Sequence, residues 1–194
     1  MNILASYNWL KEYVAFKGGT DVFAKRLSLC GPAVERQYPQ APLFENMVIG
    51  QVIEIKPHPN ADKLRLVRTD LGKKKMEFVC GGINLTVGMK VIVALAGARV
   101  RWHGQGDLVE LKPVDIRGVR SEGMICAASE IGLGEAFPHA DMEIMDVSWC
   151  KSKPGTSFAK AMGLDDTVFD VEVTTNRPDA FSIVGLAREA AAIL

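Results

Sequence analysis

A change of rhythm constrains this chain more than any single motif does. Residues 1–40 read as helix-rich, residues 41–150 as short β-prone runs punctuated by Gly, Pro and Asn, and residues 151–194 as helix-rich again. Each flank has only about forty residues, near the size at which a chain cannot bury enough surface to fold alone. The economical solution is one discontinuous α/β domain built from 1–40 with 151–194. The β-rich stretch 41–150 then forms a second domain whose two ends lie close together.

In the first flank, Ser6 is placed to cap a short helix with Trp9, Leu10, Tyr13 and Val14 on one face. Thr20 is placed to cap a second, with Asp21 in its first turn and Val22, Phe23, Leu27 and Cys30 along the apolar side. Gly31-Pro32 stops it. A strand over Ala33–Tyr38 follows. The middle predicts strands over Met47–Ile55, Leu64–Leu71, Met76–Cys80, Lys90–Ala94, Leu108–Ile116 and Met124–Ala127, with a hairpin turn at Gly72–Lys75 and a helical turn at Ser129–Ile131. That number of short strands suits a small barrel or a sandwich, and pattern alone does not choose. In the last flank Thr156 is placed to cap a helix through Met162, Thr167–Val173 alternates as a strand, and Phe181–Leu194 is an amphipathic helix.

Composition excludes some classes. With 48% hydrophobic and 24% charged residues the chain has the balance of a folded domain rather than a disordered one. The longest apolar run, Val91–Ala98, stops at Arg99, well short of the ~20 residues a membrane helix needs. Met1–Leu4 carries no basic residue, and Lys11-Glu12 break the apolar stretch, which disfavours a secretory signal. Cys30, Cys80, Cys126 and Cys150 form no C-x-x-C unit and read as buried small hydrophobes in a reducing compartment. A zinc site from Cys80, Cys126, His58 and His103 lacks clustered ligand spacing.

Net charge is zero, but it is unevenly distributed. Leu43–Arg120 holds 13 Lys or Arg against 8 Asp or Glu, whereas Ser121–Cys150 holds six acidic residues and no Lys or Arg. A neutral total can therefore hide a basic face suited to phosphate.

Two segments concentrate the polar chemistry. In His58-Pro59-Asn60-Ala61-Asp62-Lys63-Leu64 the prolines stiffen a turn, and Lys63, Arg65 and Arg68 follow it along a strand. In Arg117-Gly118-Val119-Arg120-Ser121-Glu122-Gly123-Met124-Ile125-Cys126 two glycines permit close backbone approach beside donors for phosphate or 2′-hydroxyl. A rigid turn beside a solvated strand accounts for the same residues about equally well. No phosphate loop, G-x-S-x-G or H-E-x-x-H occurs. His103 and His139 read as surface residues, and Glu130 and Glu135 as helix-terminal and loop charges rather than an acid–base pair.

These segments resemble the N-terminal region of the bacterial phenylalanyl-tRNA synthetase β subunit. Four motifs carry the resemblance across essentially the whole chain: Ser6–Val14, His58–Leu64, Arg117–Gly134 and Asn176–Glu189. The middle two are shared with other proteins carrying the same tRNA-binding OB-fold module; the outer two are specific to the synthetase subunit. The resemblance implies an α+β chain with a five-stranded OB-fold β-barrel inserted into the discontinuous α/β domain. It implies a tRNA-binding role for Asn60, Lys63, Arg65, Arg68, Arg117, Arg120 and Ser121, with Trp102 as a possible base-stacking platform. Recognition should favour tRNA shape and phosphates over sequence.

It further implies a cytoplasmic, ATP- and magnesium-dependent ligase of two catalytic α and two β subunits, with no membrane or DNA partner. The catalytic site lies in α, so this chain is expected to bind tRNA weakly, catalyse nothing and need no cofactor itself. Three departures stand out: Gly81-Gly82-Ile83-Asn84 where relatives carry Ala-Pro, Ala127-Ala128 where a Ser is common, and Ala180 in place of a frequent Cys. Two other classes fit the OB module: a free-standing tRNA-binding protein, and a purely structural module that orients subunits.

Overall fold

In the computed structural model, which describes residues 1–194, the chain begins β1 (Asn2–Ser6), α1 (Tyr7–Leu10), α2 (Thr20–Cys30) and β2 (Ala33–Pro39). It continues β3 (Met47–His58), β4 (Ala61–Asp70), β5 (Lys75–Cys80), β6 (Lys90–Leu95), β7 (Arg99–Arg101) and β8 (Leu108–Glu110). The last elements are β9 (Val114–Ile116), β10 (Val119–Ser121), β11 (Gly123–Ile125), α3 (Phe158–Ala161), β12 (Thr167–Glu172) and α4 (Ile183–Ile193). Two compact units result: Met1–Ala41 with Asp165–Leu194, and Pro42–Leu164. No helix is long and apolar enough to cross a membrane.

The first unit rests on an antiparallel sheet in the order β1-β12-β2, with a bulge in the β12–β2 ladder between Asp170 and Val171. The strand β1 escapes sequence reasoning because it is short and pairs with residues more than 160 positions away. Ser6 does cap α1, accepting from Trp9 N at 3.0 Å, and its hydroxyl donates to Asp166. The core stacks Phe23 on Phe169 at 5.7 Å, with Tyr7 edge-on to both.

Around that core the expected helix faces rotate. Tyr7, Leu10 and Val14 are buried while Trp9 and Tyr13 are exposed; Phe23, Ala24 and Leu27 are buried while Val22 and Cys30 are exposed. The cap of α2 is Gly19, without a side-chain bond, and not Thr20. Ser182 caps α4 through Gly185 N. The Asn176–Asp179 turn is braced by Arg177, whose Nη2 reaches Asp179 at 2.9 Å and Glu189 at 2.7 Å. Those partners raise the arginine's pKa, and the arginine lowers that of Asp179.

The second unit is built on a five-stranded antiparallel sheet in the order β11-β6-β3-β4-β5. Its centre explains the long apolar run: Val91, Ile92, Val93 and Ala94 are all fully buried, because β6 is covered on both faces. One face packs Ile92 and Ala94 with Met47, Ile49 and Phe158; the other packs Val91 and Val93 with Val67 and Phe78.

The sheet is open, contrary to the expected barrel. No ladder joins β5 to β11. At that seam Val79 N donates to the Ser121 hydroxyl instead, a side chain standing where a backbone carbonyl would continue the sheet. The single strand expected over Leu108–Ile116 divides, since β8 pairs with β7 while β9 pairs with β10. Residues 151–164, grouped above with the C-terminal flank, belong to this unit, where Phe158 lies edge-on to Phe44 at 5.2 Å. The Thr156 hydroxyl bonds Lys153 O, and the helix begins at Phe158 with Ser157 as its uncapped N-terminal residue.

Candidate nucleic-acid interface

The β3–β4 turn carries the first segment and the β9–β10 turn the second, and the fold clasps one to the other. His58 is buried, and its Nδ1 accepts from Asn60 N at 3.1 Å. A backbone N–H can only donate, so the neutral ring carries its proton on Nε2, which donates to Ile116 O at 3.2 Å. Asn60 Nδ2 then donates to Arg117 O at 2.9 Å. Arg117 itself has a positive φ of 50°, and Gly118 beside it a φ of 89°, so the backbone there turns sharply enough to present its carbonyl to Asn60. Two segments nearly sixty residues apart thus become one polar edge.

The cations on this edge differ in availability. None of the chain's ion pairs involves Lys63, Arg65 or Arg117. Lys63 and Arg117 are exposed and Arg65 is half-buried. Arg68 pairs with Glu54 at 3.9 Å, and Arg120 with Glu122 at 3.8 Å, both at the surface. Ladder register places Arg65 opposite Cys80 and Arg68 opposite Glu77 and Glu54, so those two cations leave opposite faces of β4.

Ser121 is not available as a donor to RNA. It is 1% exposed, donates to Gly123 O at 2.8 Å and accepts from Val79 N. Its role is to close the seam described above. Gly123 is required there too: a Cβ would stand 2.3 Å from Ala94 O. Asn60 likewise spends its amide within the chain, so its contribution to the edge is positional. Trp102 is exposed, in a turn where His103 takes a φ of 53° and lies edge-on to the indole at 5.7 Å.

Several residues behave differently from a reading of pattern alone. His139 is half-buried, between Ser129 Oγ at 3.1 Å and Phe137 O at 3.2 Å, rather than a plain surface residue. Glu130 accepts from Ala127 N at 2.7 Å, as a charge at the start of a helical turn should; burial raises its pKa, and that bond, His103 and His139 oppose the rise. The Gly81–Asn84 departure has a local logic. Asn84 exchanges two 2.9 Å bonds with Ile144, and a Cβ on Gly82 would collide with the Ile144 side chain.

His58 is committed to its clasp, and no group of three His, Cys, Asp or Glu side chains gathers where it could hold a metal ion. Burial pushes the Cys80 thiol up to about 11 and the Cys126 thiol well above its ordinary value, which leaves both as inert core residues. Cys30, by contrast, is exposed.

The clasped segments and the five-stranded sheet lie within residues 47–147, and those residues match the family model described as "Putative tRNA binding domain". The chain belongs to that family. Beyond the family region, the chain is 38% identical over 187 residues to the phenylalanine–tRNA ligase beta subunit of Bordetella bronchiseptica, a match covering 96% of this chain and 22% of that protein. The corresponding subunit of Prochlorococcus marinus is 37% identical over 190 residues, covering 97% of this chain and 22% of that protein. The chain therefore spans about a fifth of the length of these curated relatives. Among solved structures, a MetRS-related protein from Pyrococcus horikoshii aligns with a TM-score of 0.38 at 22% identity, over 57% of this chain and 85% of that one.

Proposed function

We propose that the second unit is an OB-type tRNA-binding module, and that the edge formed by the clasped β3–β4 and β9–β10 turns lies along the tRNA backbone. The observation that supports this reading is the pairing of His58 and Asn60 with the Ile116 and Arg117 carbonyls, which joins the two turns whose segments carry Lys63, Arg65 and Arg117, cations without carboxylate partners, in a member of this family. Phosphate contact by cations without carboxylate partners needs no sequence readout, so affinity should be modest and shape-dependent. Arg68 and Arg120 contribute less, because each must first leave a carboxylate.

On this reading residues 1–41 with 165–194 form the discontinuous α/β domain of a phenylalanine–tRNA ligase β subunit, and residues 42–164, rather than 41–150, hold its tRNA-binding domain. The full enzyme would use ATP and magnesium in the cytoplasm, with a catalytic α subunit and a second β subunit, while this chain by itself catalyses nothing. A purely structural module is the second reading. It is favoured by the surface pairs that already occupy Arg68 and Arg120 and by the acidic stretch after Ser121.

Salt titration of tRNA binding separates the two. Three phosphate contacts give a log–log slope of about −2 to −3, so affinity should fall about 15- to 65-fold between 50 and 200 mM salt. The Lys63→Glu/Arg65→Glu variant should weaken binding and flatten the slope by about 2. Unchanged tRNA affinity in that variant would favour the structural module.

A further inference from the structure

Outside the cationic edge, the second unit contains an apolar groove that phosphate contact does not use. It has a volume of about 350 Å³ and runs between the end of β5, the strand β11 and the turns at Trp102 and Glu130. Its walls include Leu64, Val114, Met124 and Met142. Trp102 and Met142, each more than half exposed, stand at its rim.

The charged and polar side chains lining the groove are His103, Lys112, Glu130 and Glu143, and Glu143 is tied to Ala140 N at 2.9 Å. Glu130 lines it with Oε2 held by Ala127 N, while Oε1 has no partner in the chain. The turn bearing Trp102 is locked onto the Glu130 turn, because Gly104, with a φ of 72°, sits where a Cβ would come within 2.5 Å of Ser129. The two turns are thereby packed closely, and each contributes one side chain, an indole and a carboxylate, to the same groove. Apolar walls with an exposed indole and a carboxylate oxygen that has no partner in the chain suit a planar heterocycle that donates a hydrogen bond from its edge.

We propose that this groove receives one unpaired nucleobase carrying an exocyclic amino group, with Trp102 stacking on its face and Glu130 Oε1 accepting from its amine. The inference deepens the tRNA-binding reading and rests on it. Adenine, cytosine and guanine satisfy the carboxylate, whereas uracil offers only an N–H flanked by two carbonyl oxygens that face it unfavourably. Cations on the neighbouring edge hold the backbone, and the groove selects what is looped out from it.

The test uses the 194-residue chain with Trp9 and Trp149 changed to Phe, leaving Trp102 as the only indole. Short end-labelled oligoadenylate and oligouridylate are titrated at low salt, with affinity read from the anisotropy of the label in every variant and Trp102 emission followed where Trp102 is present, and tRNA binding is measured beside them. Oligoadenylate should quench Trp102 and bind more tightly than oligouridylate. Trp102→Ala should weaken oligoadenylate about 5- to 150-fold, the range of one base–aromatic stack. Glu130→Gln, which keeps an acceptor for Ala127 N, should erase the preference over oligouridylate.

Equal binding of the two oligonucleotides, or unchanged affinity in both variants, would overturn the groove. If Lys63→Glu/Arg65→Glu still weakens tRNA in that case, the cationic edge stands without it. If neither tRNA nor oligonucleotide binds at low salt, the tRNA-binding reading fails and takes this inference with it.

Discussion

The substitution His58→Phe isolates the clasp, because it keeps a buried ring and removes both ring nitrogens. Two hydrogen bonds are lost, from Asn60 N at 3.1 Å and to Ile116 O at 3.2 Å. Asn60 N–H belongs to an exposed residue and can turn to water, which limits its share to about 0.5–1 kcal/mol. The Ile116 carbonyl belongs to a half-buried residue and costs more when orphaned, about 1–3 kcal/mol. The expected sum is about 1.5–4 kcal/mol, read by calorimetry as a fall in Tm of about 3–16 °C for a chain of this size. Asn60→Ala, which cuts only the 2.9 Å bond to Arg117 O at the surface, should cost no more than about 1 kcal/mol. Because the clasp positions Arg117, both variants should also weaken tRNA binding, and His58→Phe should do so more. A His58→Phe protein that melts within 1–2 °C of the parent (about 0.5 kcal/mol) would refute the clasp. Full stability loss with unchanged tRNA affinity would refute its positioning role.

Glu130→Gln has a pH signature as well. Burial raises the folded-state pKa of Glu130 against the opposing pull of Ala127 N, His103 and His139, so the stabilisation from its protonated form is present below the unfolded value of about 4.3 and lost as pH rises through the folded one. The Gln variant should therefore gain most in Tm over the parent near neutral pH, and the gap should close on acidification. Gly123→Ala places a Cβ 2.3 Å from Ala94 O and should cost about 2–4 kcal/mol by breaking the β11–β6 ladder, measured by urea unfolding. Gly185→Ala should destabilise the first unit comparably, its Cβ colliding with Asp179 O in the turn that α4 grips. A thiol reagent at pH 8 should label Cys30 in the folded chain and reach Cys80 and Cys126 only after unfolding.

Much of this protein was legible in its residues because the relevant signals are local. The cap at Ser6, the stop at Gly31, the hairpin turn at Gly72 and the apolar stripe of α4 each follow from neighbours a few positions apart. The two polar segments were legible for the same reason: proline, glycine and cations cluster within single turns. What pairs across long distances was not. The strand β1 exists because β12 lies beside it, and the burial of Tyr7 instead of Trp9 follows from where Phe23 and Phe169 stack. Ser121 shows the limit most sharply. As a residue type it offers a hydroxyl to any ligand, yet the fold brings Val79 of β5 within reach and consumes that hydroxyl in the seam. The sequence by itself determined which turns are stiff and where the charges lie along the chain. Only the tertiary structure decided which of those groups remain free, since a hydrogen bond is satisfied by whatever donor the fold brings close, however distant it is in the chain.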